Sequence, residues 1–256
     1  MKTTLILTIT TLALSTSLYS QDLGFRKYSH VKSFYKQIAT DTIAIAKKND
    51  LPAAAILAIA GLESGYGSGY VAQITGNILS LGAFKGDAEL PALYLPYSKS
   101  KKQVLFDPNI INKLPKSDLV YKKRAKSYKR DYRPSPYAGT HNQLELLKYD
   151  DSLKNKAHYM CINDFATRWI TLKSNIPAFR NAKKWLLSLT SKNKEILFSM
   201  NSNQGFIERI GGVPHSFNYR KTWPKKVELI MKKTRLIDLV DDMANKHMSF
   251  EEAWRD

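Results

Sequence analysis

Cysteine is almost absent from this chain: Cys161 is the one thiol in 256 residues. A lone thiol closes no disulfide within the chain, so neither a disulfide-stapled scaffold nor a cysteine-rich zinc site is available. No cysteine follows the apolar stretch at the N-terminus either, which excludes a lipid-anchored start. The five histidines are scattered without ligand spacing, so no metal and no cofactor is expected. Acidic residues are also scarce, 22 against 40 lysines and arginines, leaving a formal net charge of +18. The internal apolar run Ala53–Leu62 falls well short of the roughly 20 residues that a bilayer-spanning helix needs.

What is present begins with 43% hydrophobic residues, enough for a full core. Residues Met1–Ser20 combine Lys2, an apolar centre over Leu5–Leu14 and small residues near Ser15 and Ser20. This pattern is that of a secretory signal peptide over 1–20, which makes 21–256 a single mature domain, periplasmic or secreted. Export changes how the charge is read. Inside a cell +18 suggests nucleic acid, whereas an exported chain meets wall polymers and anionic lipid surfaces instead. A lysine-rich composition that only maintains solubility accounts for the charge equally well.

The chain is organised around Leu51–Gly69, LPAAAILAIAGLESGYGSG. Pro52 suits a first helical turn and Asp50 is placed to cap it. From Ala53 to Leu62 every residue except Gly61 is apolar around the whole helix, the pattern of a segment enclosed by other elements. Glu63 then continues the stripe of Ile56, Ile59 and Ala60 into the last turn. Desolvation and the negative end of the helix dipole both raise a carboxyl's pKa there, which suits a general acid. Gly65, Gly67 and Gly69 alternate with Tyr66, Ser68 and Tyr70, giving a turn with aromatic walls that a sugar ring fits. A surface glutamate at a frayed helix end, with the glycines as a simple C-cap, fits the same residues.

Ala60-Gly61-Leu62-Glu63-Ser64-Gly65-Tyr66-Gly67 resembles the A-x-x-E-S-G-W-G signature of the bacterial glucosaminidase family of peptidoglycan hydrolases. Asn77-Ile78-Leu79 resembles that family's N-L-F-G segment, and Phe84-Lys85-Gly86 with Glu89 resembles its W-K-G followed by an acid. The likeness is clear from Ser33 to Pro108 and loose beyond. Tyr66 replaces the usual Trp, Ser80 stands where a Gly would follow, and Pro91 and Pro96 interrupt the family's β-hairpin. The resemblance implies a lysozyme-like outline, Glu63 as general acid and Glu89 as second catalytic acid. It also implies Ser64, Tyr66, Asn77 and Tyr219 at the substrate, Tyr219 being matched to a tyrosine before the family's last helix.

Elsewhere, Val31, Phe34, Tyr35, Ile38, Thr42 and Ile45 recur at helical steps and predict an amphipathic helix over Val31–Lys48. From Gly82 to Tyr137 prolines break any long helix, and Ala92–Tyr97 with Lys102–Phe106 reads as a short hairpin forming a lip of a cleft. Asp87, Asp107 and Asp118 read as turn residues or solvated charges. Basic residues from Lys122 to Arg133 alternate with Tyr121, Tyr128 and Tyr132, a composition for gripping acidic peptides or glycan rings, or for a solvated loop. Helices are expected over Leu144–Asp151, Leu153–Leu172, Ala178–Leu189, Lys194–Met200 and Pro224–Asn245.

The expected fold class is therefore mainly α, a helical bundle with a long irregular or short β-hairpin insertion lining a cleft and a helical C-terminal extension. The expected activity is cleavage of wall glycan after N-acetylglucosamine. Peptidoglycan strands are the expected partner, with peripheral attachment to an anionic wall or membrane surface and no nucleic acid. A lytic transglycosylase, a noncatalytic wall-binding module and an exported nucleic-acid-binding protein are the rivals.

Overall fold

The computed structural model describes residues 24–124, 132–191 and 193–254. The proposed signal peptide, and Lys126, Tyr128, Lys129 and Arg130 of the basic segment, lie outside the described residues. The chain is mainly helical with one small sheet. Helix α1 (Ser29–Lys48) is followed by α2 (Ala53–Ser64) and the short α3 (Tyr70–Thr75). Strands β1 (Tyr94–Ser98) and β2 (Gln103–Val104), helix α4 (Pro108–Lys113) and strand β3 (Leu119–Lys123) come next. Short helices α5 (Ser135–Ala138) and α6 (His141–Leu146) lead to α7 (Asp151–Asp164), which continues into a π-helical turn, Phe165–Trp169. Helix α8 (Pro177–Thr190), a 3₁₀ turn (Lys194–Phe198), α9 (Met200–Ile210), α10 (Trp223–Lys233), α11 (Leu236–Ala244) and α12 (Phe250–Ala253) complete the chain.

Helix α2 is the axis of the core. Every residue from Ala53 to Gly61 is buried, and α1, α9, α10 and α11 pack around it. An all-apolar helix has no face to give to water, so its neighbours must enclose it. All six periodic positions read in α1 are buried, and Thr42 satisfies its hydroxyl by donating to the Ile38 carbonyl at 2.7 Å.

The start of α2 differs from expectation. Pro52 occupies the N-cap position instead of the first turn, and Asp50 adopts a left-handed conformation and pairs with Lys194 at 2.7 Å. The amide of Ala55 donates instead to the side-chain oxygen of Asn203 at 2.8 Å, across 148 residues. The Asn203 amide nitrogen in turn donates to the carbonyls of Leu197 and Ser199. This fully buried side chain caps α2 from α9, a helix that the sequence reading left out.

The hairpin is present in shortened form, with Tyr97 opposite Val104 and Ser98 opposite Gln103. A third strand joins it: β3 pairs antiparallel with β1, giving the order β2-β1-β3. Beneath it lies a second, smaller core that includes Ile74, Leu95, Leu144, Leu147 and Ala157. The helix expected over Pro224–Asn245 is broken at Arg235, which is left-handed with φ 52°. The carbonyls freed there are collected by Arg26, whose guanidinium donates to Thr234 and Arg235 at 2.9 and 3.0 Å. Tyr132 and Arg133, read with the basic cluster, are buried; Arg133 donates to the Pro91 carbonyl at 2.5 Å, and burial lowers its pKa to about 10.

Asn203→Ala is expected to lower unfolding stability by about 1–3 kcal/mol, because it removes the acceptor of a buried helix amide and the side-chain donor to the Leu197 carbonyl, while the Ser199 carbonyl keeps the backbone N–H of residue 203. Urea denaturation followed by circular dichroism measures this, and an unchanged midpoint refutes the tertiary cap.

Candidate functional site

The last turn of α2 ends at Ser64, after which Gly65, Tyr66 and Gly67 all take positive φ, at 56°, 55° and 75°. The Ser64 hydroxyl holds this turn together, donating to the Ala60 carbonyl at 2.6 Å and accepting the Gly67 amide at 2.8 Å. Tyr66 N–H donates to Gly61 O and Gly69 N–H to Ser64 O, so two of the helix-end carbonyls are satisfied within the turn. Glycine at 67 also admits the Phe34 ring, which a Cβ would meet at 2.9 Å. The turn leaves Glu63 as the last α2 side chain before the chain swings away.

Glu63 faces a cleft of about 660 Å³ between the helical core and the segments that flank the sheet at Phe106 and Arg124. One wall is Phe84 stacked on Trp169, with ring centres 4.4 Å apart. Arg168 lies over both rings and pairs with Asp87 at 2.6 Å, while Asp87 accepts the Phe84 amide at 3.0 Å. Tyr70, Phe106 and Phe217 add further aromatic surface. Among the described residues that line the cleft, Glu63 is the one carboxylate.

Trp223 donates its indole N–H to Glu63 Oε1 at 2.6 Å. Its own position is set by Phe217, 5.1 Å away centre to centre, and by Gly211, where a Cβ would meet the Trp223 ring at 2.2 Å. Three influences therefore act on the acid. Burial raises the Glu63 pKa and is the largest; the Trp223 hydrogen bond and then the positive charge of Arg220 lower it, and the net shift is upward. Glu63 keeps its proton to higher pH than an ordinary glutamate.

The other sequence-derived residues are placed differently. Ser64 is buried and committed to the turn. Asn77 lines the cleft but is saturated: its amide donates to the Leu81 and Tyr132 carbonyls, and its oxygen accepts from the Leu81 amide and the Cys161 thiol. No bond is left for a sugar, so Asn77 shapes the 77–81 loop. The Tyr66 ring packs edge-on to Phe34 and Tyr35, away from the Glu63 cleft, because its left-handed backbone turns it back over α1. Tyr219 is 69% exposed, two residues beyond Phe217, which does reach the cleft. Glu89 is exposed and outside the cleft lining.

Asp107 caps α4, and Asp118 accepts from Ser98 and Ser100, bonds that lower its pKa. Asp118 is a turn residue, as read, while Asp107 is a helix cap. His215 is left-handed and likewise outside the cleft lining. Among the described residues no three His, Cys, Asp or Glu side chains gather as a metal site requires. Trp223 and Arg220 escaped sequence reading. They stand some 160 residues from Glu63, and the Trp-Pro pair that opens α10 signals only a helix start.

Because the shift is upward, native-state stability is fully present below the ordinary glutamate value of 4.5 and is lost as pH rises through the native pKa. Glu63→Gln is thus expected to melt higher than wild type at pH 8, the gap closing on acidification in calorimetry. Trp223→Phe removes a bond that favours the anion, so the Glu63 carboxyl carbon should titrate at higher pH by NMR. Titration at lower pH contradicts the hydrogen bond's role.

In comparison with known proteins, no family model, no curated protein and no solved structure matches the chain.

Proposed function

We propose that the chain is an exported glycoside hydrolase, lysozyme-like in arrangement, that cleaves peptidoglycan strands after N-acetylglucosamine. The observation that carries this reading is a solitary carboxyl in an aromatic-walled cleft, its pKa raised by burial. The sequence likeness around Glu63 to glucosaminidases points the same way, and +18 suits a substrate that bears carboxylates.

A single acid suffices if the substrate supplies the nucleophile, a recognised exception to the two-carboxylate scheme. Glu63 gives its proton to the glycosidic oxygen as the bond from that oxygen to C1 breaks. The carbonyl oxygen of the same sugar's N-acetyl group closes onto C1 and forms an oxazolinium ring. Water then adds at C1, the ring reopens, and the water's proton returns to the Glu63 carboxylate. One water is consumed and the anomeric configuration is retained. In this scheme Phe84 and Trp169 hold a sugar face, and Glu89 has no chemical step.

The same solitary acid favours a second reading, lytic transglycosylation, in which a sugar hydroxyl closes onto C1 and an anhydro sugar leaves. Mass spectrometry of digested peptidoglycan separates the two. Reducing N-acetylglucosamine ends are expected, and anhydro ends support the second reading. Glu63→Gln is expected to cut fragment release at least about 100-fold, the scale of a lost general acid, and Glu89→Gln to leave it unchanged. Wild-type release by Glu63→Gln overturns both readings.

A further inference from the structure

Charge is not spread evenly along the chain. Residues 94–124, which form the sheet and α4, carry seven lysines and Arg124 against Asp107 and Asp118. A small fraction of the chain thus holds a third of its net charge of +18. All seven lysines are exposed, and none is ion-paired among the described residues. Other lysines have acids beside them, as Lys148 has Glu145 at 2.7 Å and Lys154 has Asp151 at 2.9 Å. The two acids of the segment are occupied otherwise: Asp107 caps α4, and both oxygens of Asp118 accept from Ser98 and Ser100.

Hydrogen bonds gather five of these lysines at one end of the sheet. Lys99 donates its amide to the Asp118 carbonyl at 3.0 Å and its Nζ to the Ser117 carbonyl at 2.8 Å. These bonds tie the turn between β1 and β2 to the connection that leads into β3. Asp118 Oδ1 accepts the Ser100 amide at 2.6 Å and Ser98 Oγ accepts the Lys101 amide at 3.1 Å, so the turn is braced from within. Lys101 and Lys102 belong to that turn, while Lys113 ends α4 and Lys116 lies in the connection. Lys122 and Lys123 are different: they lie on the outer strand β3, where lysines deter pairing with another chain. The turn and connection lysines guard no strand edge.

The shape of this basic tip selects its partner. None of the five lysines lines the Glu63 cleft or the second groove, of about 970 Å³, that adjoins it across Tyr70. A single polyanionic chain is gripped along a basic trough with aromatic platforms, whereas a protruding lysine cluster meets a broad array of negative charge. Lysine ammonium groups are flexible point charges and demand no fixed geometry of the phosphates they meet, unlike the forked guanidinium of arginine.

We infer that the Lys99–Lys102 turn and the Lys113–Lys116 segment together dock the protein on a bilayer of anionic phospholipid. Strand β3 runs from this tip toward Arg124 at the cleft, about 17 Å at the rise of an extended strand. Docking therefore leaves the Glu63 cleft clear of the bilayer. The inference stands apart from the chemistry assigned to Glu63, and its test reads binding alone.

The protein, expressed from its full-length chain, is sedimented at low salt with vesicles of phosphatidylcholine, either pure or mixed equally with phosphatidylglycerol. Binding is expected to be at least about tenfold tighter with phosphatidylglycerol and to weaken as salt rises. The triple variant Lys101→Gln, Lys102→Gln, Lys116→Gln should lose at least about tenfold of that affinity, given the contribution of each lysine near an anionic surface. Those three side chains make no hydrogen bond or ion pair among the described residues, so the fold keeps its bonds. The control Lys173→Gln, Lys184→Gln, Lys226→Gln removes the same charge from exposed positions elsewhere and should leave affinity within about twofold of wild type. Equal affinity for the two vesicle types overturns the inference. An equal loss from the two triple variants also overturns it, and assigns the binding to net charge. Tip-dependent binding of double-stranded DNA or linear polyphosphate that is tighter than binding of the phosphatidylglycerol vesicles overturns it too, and assigns the tip to a polymer.

Discussion

A helix with no polar face must be surrounded, and that requirement on α2 organises the rest of the molecule. Four helices close around it, and its two ends are where backbone groups still need partners from outside the helix. At the first end a buried helix amide needs an acceptor that water does not provide, and Asn203 of α9 supplies it. At the other end the turn that follows Ser64 satisfies the Gly61 and Ser64 carbonyls and brings Glu63 to the edge of the core. Core and candidate site are thus two outcomes of one burial problem.

The properties of Glu63 follow from its place at that edge. Full enclosure would leave a carboxyl inaccessible, and full exposure would leave it an ordinary surface acid. Half-enclosed, it is desolvated enough for its pKa to rise, while Trp223 and Arg220 restrain the rise. The helix that supplies Trp223, α10, is also one of those that close around α2. Polar residues beside Glu63 serve structure: Ser64 pins the turn and Asn77 ties the loop that borders the cleft. This division is physically reasonable, since a proton donor is useful only if its surroundings are held still.

Short α3 separates two hollows, and Tyr70 at its start belongs to both. The same left-handed turn that exposes Glu63 directs the Tyr66 ring into the second groove, among α1 aromatics. A motif read as one wall around one acid is therefore divided between two adjoining surfaces.

Periodicity and composition in the sequence sufficed for the mainly helical class, the buried character of Ala53–Leu62, the amphipathic α1 and the anomaly of an acid at the end of an apolar run. Those features are local, set by 3.6-residue spacing and by the transfer of apolar side chains from water. Strand β3, the break at Arg235, the Asn203 cap and the Trp223 contact were decided by tertiary structure alone. Each joins residues far apart in the chain, and no spacing rule reports which distant partner will satisfy a buried amide, a freed carbonyl or a desolvated carboxyl. The polar residues of the Glu63 motif divide along the same line. Their types were visible in the chain, but whether each bond faces a ligand or the protein's own backbone depends on the direction the turn takes in three dimensions.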